Sequence, residues 1–160
     1  MQVYEKLRQK GELTVRVYAM ISAGRDTFSE ALSKGPQVDS KDYFFTARSV
    51  KMFIDGALGP RGALLFEPYS DSPDTSGLQM MKEEEAYSII KKSLEKGFQV
   101  CVHAIGDKGI HIMLNLYQRA LKENPVENHR FRIEHASVIQ QEDLLRFKEL
   151  KVIASMQPVF

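Results

Sequence analysis

Three residues of this chain join a side chain able to serve a metal to a place at or near the end of a strand-forming run. They are Lys51 in SVKMFIDG, His103 in FQVCVHAIGD and His135 in RFRIEHA. Neutral imidazole is a good ligand for zinc and similar borderline metals. A lysine ammonium has no lone pair to give. It ligates only after it loses its proton and combines with carbon dioxide to form a carbamate, and burial favours that loss by penalising the charged form. His103 follows Lys51 by 52 residues, and His135 follows His103 by 32, about one strand–helix–strand unit. A strand-end histidine also serves as a packed or surface residue, and a strand lysine as a snorkelling or paired cation. Residue types alone leave both readings open.

The elements that must position these groups are legible from hydropathy. Helical spacing is expected over residues 2–10, 25–33, 82–96, from Asp107 to before Pro125, and over 140–150. Strands are expected over 13–20, 43–55, 98–104, 130–135 and 152–157. Asp107 is the expected N-cap of its helix. Gly35–Pro36 opens a polar connection to Asp42, and a long Gly- and Pro-rich loop runs from Gly56 to about Gly77, directly after the Lys51 strand. Strict helix–strand alternation with short connections predicts an α/β domain of right-handed βαβ units on a parallel sheet of about five strands. In such folds the working residues gather at the C-terminal ends of strands. Period-two parity puts Lys51 with Phe53 and Asp55, Cys101 with His103, and His135 with Phe131 and Ile133. Arg132 and Glu134 then fall on the other face, as a structural pair against helices. His111 and His129 are expected in solvent, Cys101 as a packing residue and Asp55–Gly56 as a turn.

Composition narrows the function classes. A chain of 160 residues with 43% hydrophobic and 27% charged content is one soluble domain, residues 1–160. A net charge of +1 gives no case for nucleic acid or an anionic membrane as partner. No apolar run approaches a membrane span, the N-terminus lacks a signal-peptide core, and the single Cys101 excludes an internal disulfide. A cytoplasmic location is the resulting expectation.

The segments VKMFIDGALGPRGALLFEPYSD, GFQVCVHAIGDKG, RFRIEHASVI and KVIASMQP, in this order, resemble the YtcJ-like branch of the amidohydrolase superfamily. The resemblance runs from about Leu13 to the C-terminus. It implies a metal-dependent hydrolase on a (β/α)8 TIM barrel that cleaves carbon–nitrogen bonds of the amide type in small, non-peptide molecules. Lys51 matches the carbamylated lysine of strand 4, His103 the strand-5 histidine and His135 the strand-6 histidine. The implied cofactor is one or two divalent metals, zinc by expectation, which activate water and polarise the carbonyl. On the long loop, Arg61, Tyr69 and Asp71 are candidate substrate contacts, with turn and solvent contacts as the alternative.

Two parts of the pattern are missing. No His-x-His pair occurs in the chain, and nothing matches the general-base aspartate of strand 8. By this matching the chain covers strands 3 to 7, whereas such a barrel takes about 200 residues or more. The expectation is therefore a fragment of a hydrolase that is inactive alone, with open sheet edges covered by a second copy in a homo-oligomer. The alternative is a non-enzymatic α/β binding or regulatory module that uses the long loop.

Overall fold

The computed structural model describes residues 2–24, 26–38 and 43–159. The chain runs α1 (Gln2–Gln9), β1 (Val17–Ser22), α2 (Asp26–Lys34), β2 (Gln37–Val38), β3 (Phe45–Phe53), α3 (Glu83–Glu95), β4 (Gln99–Ala104), α4 (Asp107–Glu123), β5 (Arg132–His135), α5 (Gln141–Glu149) and β6 (Ile153–Ser155). The expected elements are all present, with bounds that differ by a few residues. β2 is new. It pairs antiparallel with β3 through Gln37–Ala47 and Val38–Thr46. Two residues are too few to show a period, so this strand exists only through its main-chain partners.

The sheet has six strands, and its main path is β1-β3-β4-β5-β6. Every neighbouring pair on that path is parallel. Order in the sheet follows order in the chain, so the winding never reverses. This is how a barrel wall grows, not a doubly wound sheet with a switch point.

The two faces of the sheet differ. On one, Val50, Met52, Ile54, Val100, Val102, Ala104, Phe131 and Ile133 are all at most 2% exposed. The helices cover it. In α4, Ile110, Met113, Leu114, Tyr117 and Ala120 repeat at three- and four-residue spacing and are buried. Tyr117 stacks on Phe131 at 4.5 Å and donates its hydroxyl to the Arg132 carbonyl at 3.0 Å. α3 starts with Glu83, Glu84 and Glu85 and stops at Gly97, whose φ of 75° suits glycine. The opposite face carries Lys51, Phe53, Cys101, His103, Arg132 and Glu134 in cross-strand register. Its upper part is open, with Phe53 45% exposed and Met20 40% exposed.

Candidate functional site

The site lies on that open face, at the C-terminal ends of β3, β4 and β5. Phe53 pairs with His103, His103 with Glu134, and Ala104 with His135. The His103 and His135 rings meet edge to face, with centroids 4.6 Å apart. Phe53 stands 5.3 Å from the His103 ring on the other side. The Lys51 ammonium lies 3.6 Å above the Phe53 ring and donates to the Met52 carbonyl at 3.4 Å. The structure thus joins Lys51 to His103 through Phe53, and His103 directly to His135.

Parity does not explain how His135 gets there. Phe131 and Ile133 point into the helix-covered core, so a regular strand would send His135 after them. Instead His135 and Ala136 take φ of 77° and 45°. Such left-handed backbone is unfavourable for residues with a Cβ and is typical of functional sites. It turns the chain at the strand end and lays the ring against His103. The Arg132 and Glu134 expectation is corrected by the same register. Both are on the open face, not against helices, and are joined at 2.7 Å.

Electrostatics favours neutral nitrogen at this site. Burial pulls the Lys51 ammonium down to about 8, against an opposing pull from the Glu134 carboxylate. Burial also lowers His103, with the Gly56 carbonyl and Asp55 opposing. The His103 Nε2 faces the Gly56 carbonyl oxygen at 3.4 Å and Asp55 Oδ1 at 3.6 Å. Both are acceptors, so the neutral ring carries its proton on Nε2 and its lone pair on Nδ1. In His135, Nδ1 donates to the Gln157 side-chain oxygen at 2.9 Å, which leaves the Nε2 lone pair free. Two adjacent imidazoles with free lone pairs, beside a lysine that deprotonates readily, suit a divalent metal. Among the described residues no three His, Cys, Asp or Glu side chains form a metal-holding group. Lys51 is the further side chain of this face that could serve a metal, once it has lost its proton.

Asp55 is more than the expected turn residue. It is fully buried, and its carboxylate accepts the N–H groups of Leu64 (3.0 Å), Ile105 (3.1 Å) and Gly106 (2.8 Å). It ties the long loop and the β4–α4 junction to the end of β3. The loop packs so closely there that a Cβ on Gly106 would stand 2.0 Å from the Leu64 oxygen. The N-cap of α4 is Gly106, not Asp107. Asp107 is the first helical residue, and it accepts the Phe66 N–H at 3.0 Å. Sequence offered one signal for these roles, an Asp-Gly and a Gly-Asp at two strand ends, and both also spell turns. Gln157 gave no signal.

The loop candidates separate. Arg61 and Asp71 form a two-point pair at 3.2 and 3.0 Å on the exposed rim. Tyr69 is buried and donates its hydroxyl to the Ala63 carbonyl at 2.8 Å, inside the loop. None of the three touches the histidines by any recorded hydrogen bond or ring contact. Two other histidines, expected in solvent, have protein partners, although the His111 side chain stays 36% exposed. His111 Nδ1 meets the buried Asp143 carboxylate at 3.0 Å. His129 is 7% exposed, bridging Leu150 O at 2.9 Å and the Phe131 N–H at 2.9 Å.

The chain belongs to the amidohydrolase family, whose model matches residues 1–160. Its sequentially wound parallel sheet agrees with that membership. Over the whole chain it is 37% identical to "Putative amidohydrolase YtcJ" of Bacillus subtilis (strain 168), of which it covers 29%. It is 40% identical over 109 residues to "Protein LONG AFTER FAR-RED 3" of Arabidopsis thaliana, covering 68% of this chain and 19% of that protein. Two crystal structures of uncharacterized metal-dependent hydrolases share the fold. The one from Pyrococcus horikoshii OT3 has a TM-score of 0.86 at 36% identity, covering 99% of this chain and 31% of the other. The one from Pyrococcus furiosus has a TM-score of 0.82 at 36% identity, covering 99% and 32%. The chain thus spans about a third or less of the length of the proteins it matches. Among the described residues no helix is long and apolar enough to cross a membrane.

Proposed function

We propose that these 160 residues form the central wall of a TIM-barrel amidohydrolase that cleaves amide-type carbon–nitrogen bonds of a small, non-peptide molecule. Lys51, as its carbamate, His103 and His135 are the metal ligands, and zinc is the metal. The observation that carries this reading is the pair of imidazoles 4.6 Å apart at adjacent strand ends. The lowered ammonium of Lys51 adds support, because loss of its proton is the step that carbamate formation needs. A bound metal supplies Lewis acidity, lowering the pKa of water and polarising a carbonyl. His103 and His135 would hold it, through Nδ1 and Nε2 respectively. Phe53 walls the site on the Lys51 side. Arg61, Tyr69 and Asp71 shape the loop that borders the substrate, Tyr69 from within it.

The 160 residues contain neither a His-x-His pair nor a match to the family's general base. The isolated chain is therefore expected to bind metal without turnover, and to pair with a second copy through its open face and edges. A cytoplasmic setting is consistent with the free, buried Cys101. The test is zinc content after equilibrium dialysis, with activity against a panel of N-acyl amides. Stoichiometric zinc, lost in His103→Ala and His135→Ala, and no hydrolysis by the isolated chain are expected. A metal-free wild-type protein overturns the ligand assignment and favours the non-enzymatic binding module. Hydrolysis by the isolated chain overturns the inactivity.

A further inference from the structure

We propose that Asp55 is a positioning residue for His103, and that through it the seat of the long loop sets which imidazole nitrogen faces the site. This rests on the ligand reading above. Four observations carry it. First, Asp55 is fully buried, and a buried carboxylate persists only where its charge is met. Second, its Oδ2 accepts Leu64 N–H at 3.0 Å and Gly106 N–H at 2.8 Å, and the Ile105 N–H is shared between Oδ1 at 3.1 Å and Oδ2 at 3.2 Å. Third, its Oδ1 is turned towards His103 Nε2 at 3.6 Å, beside the Gly56 carbonyl at 3.4 Å. Fourth, the space behind it is filled: a Cβ on Gly109 would come within 2.9 Å of Oδ2.

The carboxylate is thus held in a socket of N–H groups contributed by two segments, the loop at Leu64 and the start of α4. With one oxygen on Leu64 and Gly106 and the Ile105 N–H shared, the second oxygen is left facing His103. An acceptor on Nε2 fixes the proton there and turns Nδ1 to the open face. Buried partners of ligand histidines that fix the tautomer in this way typically change metal affinity 10–100-fold when altered. If Leu64 leaves its seat, the socket loses one of its three donors, and the carboxylate is no longer locked. Loop position and ligand readiness are coupled at this one side chain.

Asp55→Asn is the informative variant, because it keeps the shape and leaves one oxygen for the three N–H groups. That oxygen takes the Oδ2 place, so the new NH2 group points at His103 Nε2. The amide then donates where the carboxylate accepted, while the Gly56 carbonyl at 3.4 Å still accepts from Nε2, so part of the His103 population moves its proton to Nδ1. Two readouts follow on the zinc-free and zinc-titrated full chain. Histidine 15N spectra, assigned with His103→Gln, are expected to show Nε2–H in wild type and a gain of Nδ1–H in the variant. Zinc affinity, by competition with a chromophoric chelator, is expected to fall about 10–100-fold. A merely structural role would lower the melting temperature and leave the tautomer alone. Should Asp55→Asn not fold, Gly109→Ala carries the test, since its Cβ pushes Oδ2 out of the socket; weaker zinc and a loss of pure Nε2–H are then expected. An Nδ1–H wild type, or an unchanged tautomer in a folded variant, overturns the proposal. A wild type that binds no zinc but switches tautomer in the variant removes the metal reading and leaves the positioning role standing.

Discussion

Gly106→Ala probes the contact between the long loop and the β4–α4 junction. Gly106 has ordinary backbone, φ −78°, so alanine is not excluded by conformation. It is excluded by space. The added Cβ would lie 2.0 Å from the Leu64 oxygen, 2.5 Å from its carbonyl carbon and 2.6 Å from its nitrogen. All three are backbone atoms, and no rotamer change relieves the clash. The loop must withdraw by more than an ångström. Leu64 then loses two bonds, Gly109 N–H to its oxygen at 3.2 Å and its own N–H to Asp55 at 3.0 Å. Overpacking costs about 1–3 kcal/mol, and a lost hydrogen bond about 0.5–1.5 kcal/mol. The sum is about 2–6 kcal/mol, a large share of the roughly 5–15 kcal/mol available to a domain. In a chain of this size that lowers the melting temperature by roughly 4–24 °C. Urea and thermal unfolding measure it directly. Gly24→Ala and Gly59→Ala are the controls, because nothing lies within 4 Å of a Cβ at either position. A Gly106→Ala protein within about 0.5 kcal/mol of wild type, the usual range for an uncrowded surface change, would refute the reasoning.

Two further expectations concern pH. In metal-free protein the folded Lys51 releases its proton near 8, while the unfolded chain holds it to the ordinary value of 10.5. The unfolded state therefore binds more protons between those limits, and stability rises with pH across that window. Lys51→Met removes this cost, so it should melt higher than wild type at pH 7, with the gap closing by about pH 10.5. On the acid side, burial lowers His129 and His103 below the ordinary histidine value of 6.5. Their contribution is complete above 6.5 and is lost as pH falls through the folded values. The urea midpoint should drop between pH 7 and 5, and by less in His129→Gln; an equal drop in both proteins would count against buried His129 as a source.

Much of this was legible in the sequence because it follows from periodicity. α4 announced itself through Ile110, Met113, Leu114 and Tyr117, and the strands through their runs of Val, Ile and Phe. Family motifs then matched Lys51, His103 and His135 to the C-terminal ends of three successive strands. The geometry that makes a site was not legible. His135 reaches His103 by breaking the strand's parity at a positive φ, and no alternation pattern reports that. Arg132 and Glu134 were put on the wrong face by the same inference. Asp55 and Gly106 looked like turn residues because loop-to-junction packing is a long-range fact. His111 and His129 looked solvated because their partners, Asp143 and Leu150, lie 32 and 21 residues away.

The ladder around β4 sets the two imidazoles on ground of unequal persistence. β4 is hydrogen-bonded on both edges, and Val100, Cys101, Val102 and Ala104 are wholly buried. Its amides should be among the slowest in the molecule to exchange with deuterium, opening only with global unfolding. Among the described residues β6 spans three residues and pairs through β5 alone. Gln157, the partner of His135, follows directly on that short strand. Fraying of β6 frees His135 to turn while His103 stays fixed, so the two rings ride on segments with different opening free energies.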